Sequence, residues 1–288
     1  TTFKTKLSDS NFAETVRNAT ILCLQEHKLY TEADINAAVE HCSRHGYLAT
    51  FHPAKMLESG KLSGGVAVLV RDGLNIGLSS IPHEYEDVEH RLLAVRVHPP
   101  GAQPHLVASV YCEAVSGLSR TNRSVLAHLA TLQHETRLAV IAGGDYNMEP
   151  RTLQTSDFLN RANFRLAAPS RPTCVTKQAS RVLDFFLISE VFAHDFAACS
   201  TVPYFLRPHR PVLLKFQMNQ EKIPILCRPP RLPLDKPFGP EQQTEDWTDL
   251  TEHFDQLLAD LPDAQFQVEH SGDGFYLVML RSNLAMTV

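Results

Sequence analysis

Residues 137–150 read RLAVIAGGDYNMEP, and the reading of this stretch decides the fold. Leu138 to Ala142 is a short, nearly continuous apolar run, the pattern of a strand buried on both faces. Gly143 and Gly144 end the run and lift the steric limit on the backbone where another group must come close. Asp145 and Asn147 follow two apart, so on an extended backbone their side chains project to one side. A carboxylate and a carboxamide at the end of a buried strand suit a polar ligand, a metal ion or a phosphate. A bare GDxN is more often an Asx turn that caps a strand, so the rest of the chain must decide.

Towards the amino terminus, Asn122 to Leu132 carries Val125, Leu129 and Leu132 on one helical face and leads into the strand. Leu92 to Val97 and Leu106 to Tyr111 read as neighbouring strands joined by a turn at Pro99-Pro100-Gly101. Gly64-Gly65 opens a strand from Val66 to Val70, and Asp72-Gly73 turns the chain towards another. Thr31 to His45 is an amphipathic helix, with Thr31 and Asp34 resembling a capping box and Gly46 just past its end. Ile21 to Leu24 is a buried-strand run ending in Gln25 and Glu26, and Phe12, Val16 and Ala19 share a helical face before it.

Towards the carboxy terminus, Phe158 and Leu159 mark a short helix, followed by a loop through Pro169, Pro172 and Thr173. Val182 to Ile188 is a strand with one anomaly, Asp184 inside it. Pro211 to Phe216 is the last strand of this unit, entered by Arg207-Pro208-His209-Arg210. Strands separated both by helices and by other strands predict mixed sheets rather than a repeated βαβ unit. Residues 218–240 hold six prolines without periodicity and read as an extended linker. In residues 241–288, Leu250, Phe254, Leu257, Leu258 and Leu261 recur at helical spacing. Phe266 to Val268 and Phe275 to Leu280 then suggest a hairpin across Ser271 to Gly274. That tail is too short to hold much core alone.

The 288 residues, 43% hydrophobic and 20% charged, allow one large domain, or one with a small appendage. No apolar run approaches the roughly 20 residues of a membrane span, and no signal peptide opens the chain, so no membrane partner is expected. The first residue is Thr1, which reads as the start of a fragment or processed product. Six scattered cysteines without a CxxC pair point to a reducing, intracellular setting. A net charge of −5 is no footprint of an avid nucleic-acid binder, so such a partner needs a local basic patch.

The polar exceptions at strand ends form a set: Glu26, Asp145 with Asn147, Asp184, and His209. Each alone has an ordinary explanation: a solvated strand end, an Asx turn, a carboxylate satisfied by backbone, a surface histidine. Their joint order is more telling. LQE (24–26), GGDYN (143–147), RVLDFFLIS (181–189) and HRPVLLKF (209–216) resemble the endonuclease/exonuclease/phosphatase superfamily. The likeness is nearest to abasic-site endonucleases and to the endonuclease domains of non-LTR retrotransposons. GGVAVLVRDGL (64–74) and SVYCEA (109–114) extend it over about residues 15–217.

The resemblance implies an α/β (α+β) fold, a four-layer αββα sandwich of two mixed sheets over residues 1–217. It also implies a divalent cation, Mg²⁺ or Mn²⁺, and hydrolysis of a phosphodiester. Glu26 would hold the metal. Asp145 would orient and deprotonate the attacking water, and Asn147 would hold the phosphate or the water. His209, kept protonated by Asp184, would donate to a phosphate oxygen, with Tyr111 as one more donor.

Two departures stand out. The family's opening strand, which carries an asparagine, does not precede Thr1, so the fragment is expected to begin just after it. Pro208 replaces the usual aspartate before the histidine, removing a carboxylate from the metal side. Lys177, Arg181, Arg207 and Arg210 would contact a phosphate backbone, with DNA as the partner. Ser180-Arg181, His209 to Val212 and the proline-rich connector suit a retroelement endonuclease, with a polymerase downstream in the parent chain and a nuclear location. Two alternatives stay open: a catalytically degenerate sandwich that only binds nucleic acid or protein, and a phosphatase for a small phosphoester.

Overall fold

The computed structural model describes residues 19–72, 77–80, 88–99, 103–114, 117–193, 196–202, 208–216 and 276–281, the stretches 77–80 and 276–281 by their backbone alone. The chain divides into two compact units, residues 1–220 with 274–288, and residues 221–273; every described residue belongs to the first. The expected helix before Ala19, the linker, Leu250 to Leu261 and Phe266 to Val268 lie outside the described residues.

The strands of the first sheet are β1 (Ile21–Gln25), β2 (Tyr47–His52), β5 (Val66–Arg71), β14 (Phe196–Thr201), β15 (Val212–Phe216) and β16 (Tyr276–Arg281). They lie in the order β14-β15-β16-β1-β5-β2. The second sheet comprises β6 (Gly77–Ser80), β7 (Leu92–His98), β8 (His105–Tyr111), β9 (Ala139–Asp145), β10 (Phe164–Ala167) and β13 (Asp184–Ser189), in the order β10-β13-β9-β8-β7-β6. Two small hairpins, β3 (Lys55–Met56) with β4 (Leu62–Ser63) and β11 (Cys174–Val175) with β12 (Ser180–Arg181), stand outside both.

Side-chain alternation explains the layering. Ile21 and Cys23 of β1, Val66, Val68 and Val70 of β5, Val107 and Tyr111 of β8, Ile141 of β9 and Phe186 and Ile188 of β13 share one apolar cluster, which is the seam between the sheets. Their neighbours point the other way. Leu22, Leu24, Ala67 and Leu69 meet Ala38 and Cys42 of helix α1 (Glu32–Arg44). Leu106, Ala108, Val110, Val140, Ala142, Phe185 and Leu187 meet Val125, Leu126, Leu129 and Leu132 of helix α2 (Arg120–Thr136). Strands buried on both faces need uninterrupted apolar runs, and each fully buried Leu, Val or Phe contributes about 1.5–3 kcal/mol. The result is the expected αββα sandwich of mixed sheets.

Local chemistry sets the helix ends. The Thr31 hydroxyl accepts the Asp34 N–H at 3.1 Å and donates to the Asp34 carboxylate at 2.7 Å, capping α1. Gly46 follows it with a φ of +76°. The Ser119 hydroxyl caps α2 by accepting from the Asn122 N–H. Helices α3 (Pro150–Gln154) and α4 (Phe158–Arg161) follow β9, the latter at the expected Phe158-Leu159.

Three features differ from the sequence reading. Gly143 and Gly144 do not end a strand; β9 runs through them to Asp145. A Cβ on Gly144 would lie 2.3 Å from the Val110 carbonyl oxygen, and one on Gly143 would lie 2.5 Å from the Phe186 ring. What comes close to these glycines is the two neighbouring strands, β13 at Gly143 and β8 at Gly144. Second, Asp184 is the first residue of β13 rather than an interruption inside it. Third, Tyr276–Arg281 is a strand of the first sheet, parallel to β1 and antiparallel to β15. Among the described residues, no helix is long and apolar enough to cross a membrane.

Candidate active site

Strand register carries residues 111, 145 and 184 into one row. Tyr111 is the Cα partner of Asp145 in the parallel β8–β9 pair, and Asp145 is the partner of Asp184 in the antiparallel β9–β13 pair. By alternation all three stand on the face turned to the other sheet, at its end. Asp145 and Asp184 are buried there.

His209 arrives from outside the sheets. It forms an isolated antiparallel bridge with Cys174, in which Val175 N–H donates to the Pro208 carbonyl and Arg210 N–H to the Thr173 carbonyl. The bridge uses no N–H at position 208, so proline is accommodated without a lost bond. His209 Nδ1 sits 2.8 Å from Asp184 Oδ2 and 3.1 Å from Oδ1, both residues buried. With Nδ1 facing the carboxylate, the ring presents Nε2 on its other side.

Asp184 is held in turn by Thr173, a fully buried residue that the sequence reading passed over as loop. Its hydroxyl oxygen accepts the N–H groups of Leu183 at 2.9 Å and Asp184 at 3.0 Å. The same residue thus fixes the Asp184 backbone through its side chain and the histidine segment through its carbonyl.

Asp145 and Asn147 are brought together by a turn, not by strand alternation. Asn147 lies past the strand with a φ of +49°, and its N–H donates to Asp145 Oδ1 at 3.1 Å. That is an Asx turn, and it coexists with the site. The Asn147 amide donates to Asp145 Oδ2 at 3.2 Å and to the Cys112 carbonyl at 2.7 Å. Both amide hydrogens are therefore committed within the protein, and the side chain orients the carboxylate.

Glu26 follows β1 with a φ of +56°. Its Oε1 accepts from Lys28 Nζ at 2.9 Å and from the Tyr111 hydroxyl. Beside it, Gln25 Nε2 donates to the Ser109 hydroxyl at 2.9 Å, and that hydroxyl donates to the Leu24 carbonyl at 2.8 Å. These bonds cross between the sheets and tie the end of β1 to β8. His27 next to it is buried and neutral. Burial pushes its pKa down to about 4, against the opposing pull of the Val66 and His52 carbonyls at Nε2. Its Nδ1 accepts from Leu29 N–H, which requires that nitrogen to be unprotonated. The ring leaves room only for glycine at position 65, where a Cβ would lie 2.7 Å from Cε1.

Of the four basic residues, Lys177, Arg181 and Arg210 are exposed, on or beside the β11–β12 hairpin that pairs with the His209 segment. Arg207 lies outside the described residues. Sequence reading missed Thr173, Ser109 and His27, because each acts through bonds to residues distant in the chain; the single local signal was a polar residue in a buried setting.

The donors suit a hard divalent cation. One ligand atom from each of Asp145, Asp184 and His209 lies within 4.8 Å of the others. Asp145 and Asp184 supply the oxygen donors of this cluster, the kind such a cation prefers; Glu26 is not one of its members and reaches the same strand end through Tyr111.

Comparison with known proteins agrees with this fold. The model of the endonuclease/exonuclease/phosphatase family matches residues 4–252. The fold is similar to that of the 3′ phosphatase NExo from Neisseria bound to product DNA hairpin, at 16% identity and a TM-score of 0.54, over 75% of this chain and 96% of that one. An AP endonuclease from Archaeoglobus fulgidus is similar at 15% identity and a TM-score of 0.53, over 75% and 96%. The AP endonuclease LMAP from Leishmania major is similar at 19% identity and a TM-score of 0.52, over 70% and 79%. No curated protein matches the sequence. At these identities the likenesses speak for the fold. With the family model spanning most of its length and the sandwich in place, the chain belongs to the endonuclease/exonuclease/phosphatase family.

Proposed function

We propose that this chain is a metal-dependent phosphodiester hydrolase that nicks DNA and derives from a retroelement endonuclease. The observation that carries the reading is the meeting of Asp145, Asp184 and His209 within 4.8 Å at one strand end, with Glu26 joined to the same end through Tyr111. Support for a nucleic-acid substrate comes from the Neisseria relative, which binds a DNA hairpin, and from the exposed Lys177, Arg181 and Arg210. Retroelement descent rests on Ser180-Arg181, His209 to Val212 and the proline-rich 218–240. A nuclear location and a downstream polymerase belong to that same proposal.

The chemistry follows from the side chains. Glu26 and Asp145 would hold Mg²⁺ or Mn²⁺, which when bound neutralises phosphate charge and stabilises the leaving oxygen. Asp145, aimed by the Asn147 amide, takes a proton from the attacking water. His209 donates from Nε2 to a phosphate oxygen as negative charge builds, and Asp184 holds the imidazolium from behind. The Tyr111 hydroxyl, whose one hydrogen goes to Glu26, would become a second donor at the same end once a cation takes that carboxylate.

One observation favours the degenerate alternative, in which the sandwich binds without cutting: Lys28 already pairs with Glu26 at 2.9 Å and competes with a cation. A supercoiled-plasmid nicking assay separates the two. The enzyme reading expects nicking with Mg²⁺ or Mn²⁺ that is lost with chelator and with Glu26→Ala. Nicking no faster than the Glu26→Ala variant, with retained plasmid binding, would replace it with the binding reading.

A further inference from the structure

The row of residues at the strand ends extends one position beyond Tyr111. Leu92 is the partner of Val110 in the antiparallel β7–β8 pair, so the preceding residue, Arg91, falls opposite Tyr111. The row then reads Arg91, in the turn that enters β7, followed by Tyr111, Asp145 and Asp184 on three adjacent strands. Arg91 closes a 3₁₀ turn, Glu89–Arg91, and is 6% exposed. Its guanidinium lies over the Tyr111 ring, 5.2 Å from the centroid, within cation–π range. Nη2 reaches Glu113 Oε1 at 3.4 Å, a long contact to a carboxylate that is itself 32% exposed. Nη1 is buried and has no hydrogen-bond partner.

An arginine placed only to pack would have its donors satisfied, because a guanidinium cannot shed its charge to escape burial. Here a permanent charge is kept out of water with one donor unmatched, behind the ring whose hydroxyl serves the site. The surroundings give it a purpose. A phosphoryl group brings negative charge to an end already carrying Glu26, Asp145 and Asp184, and a fixed cation beneath the Tyr111 ring raises the local potential there. The field also polarises the phenol and strengthens its hydroxyl as a donor. Asn122 holds the Glu113 backbone, while the Glu113 carboxylate stays partly in water and offsets the guanidinium only in part. The Glu113 N–H donates to Asn122 Oδ1 at 2.7 Å, and its carbonyl accepts from Asn122 Nδ2 at 3.3 Å.

We infer that Arg91 is an electrostatic positioning residue, which through the Tyr111 ring favours a phosphoryl anion at the end of β8 and β9. The inference rests on the proposal that this strand end receives a phosphate. Its signature is a pair of effects of opposite sign: a buried positive charge aids an anion and opposes a cation at the same place. Loss of a merely supporting side chain would weaken both.

The test measures binding of inorganic phosphate in the presence of Mn²⁺, and of Mn²⁺ alone, by titration calorimetry on the full chain. Arg91→Met is expected to weaken phosphate on the order of tenfold while Mn²⁺ binds as tightly as before or severalfold tighter. Arg91→Lys, which keeps the charge, should retain phosphate binding within about threefold and covers the case in which the methionine variant does not fold. Glu113→Gln should tighten phosphate, opposite to Arg91→Met. Weakening of both ligands, no change in either, or a lysine variant as poor as the methionine one would each overturn the inference. A wild type that binds phosphate with this dependence but nicks no plasmid would leave the inference standing and remove the proposed function. Plasmid nicking indifferent to Arg91, with phosphate binding equally indifferent, would do the reverse.

Discussion

Thr173 shows how much of this site depends on single bonds. Its hydroxyl oxygen takes two backbone N–H groups, one of them that of Asp184. Thr173→Val keeps the volume and leaves both donors buried without an acceptor, at about 1–3 kcal/mol for each unsatisfied group. A lower denaturant midpoint and a slower nicking rate are expected together, since Asp184 loses its anchor. The groups that would touch the substrate should act more sharply on rate. Asp145→Asn and His209→Ala are each expected to lower the single-turnover nicking rate by about a hundredfold or more, and His209→Ala should also lower the melting point, because it leaves the buried Asp184 carboxylate without its partner. Rates equal to wild type in both variants would remove the roles given to them.

At the scale of the element, β9 is tightly confined by its neighbours. Its Gly144 backs onto the Val110 carbonyl, and because that neighbour is backbone it cannot turn aside. Gly144→Ala should therefore part β8 from β9, destabilising by about 1–3 kcal/mol as overpacking does, and displacing the Tyr111–Asp145 pair. Thermal unfolding and nicking read the two effects separately. Strand β16 has a different importance. It lies between β1, which leads to Glu26, and β15, which follows His209. Ending the chain before residue 274 leaves β1 and β15 without the strand they share, exposing two sheet edges inside the sandwich. Such a truncation is expected to unfold at lower denaturant and to lose nicking, and full activity in it would contradict this placement.

For the molecule as a whole, the buried neutral His27 links stability to pH. Its pKa is pushed from 6.5 in the open chain to about 4 in the fold. Between these values the unfolded chain binds a proton that the folded protein refuses, so stability is full above about 6.5 and falls as pH drops towards 4. The loss amounts to about 3 kcal/mol across that window. Urea midpoints measured from pH 7 to pH 4 should show the decline, and it should flatten in His27→Asn, whose side chain does not titrate. Ligand linkage gives a second whole-molecule readout. Mn²⁺ at a hundredfold excess over its dissociation constant should stabilise the folded state by about 2.7 kcal/mol, and Glu26→Ala should abolish most of that gain.

The layers of the sandwich are written in the chain itself. Apolar runs such as Ile21 to Leu24, Val66 to Val70 and Leu138 to Ala142 have the length and pattern of strands covered on both faces, and the two amphipathic helices supply the covers. The motif order also names the polar residues that close those runs. Other features were invisible because they depend on partners far along the chain. Edge strand β14 has mostly exposed residues and no apolar alternation, so pairing with β15 alone makes it a strand. The place of Tyr276–Arg281 between β1 and β15, the Asx turn that joins Asp145 to Asn147, and the seat of Arg91 beneath Tyr111 are likewise products of packing. Alternation assigns a side chain to a face of its own strand. Which strand lies alongside, and in what register, is settled only when distant segments compete to bury the same surface.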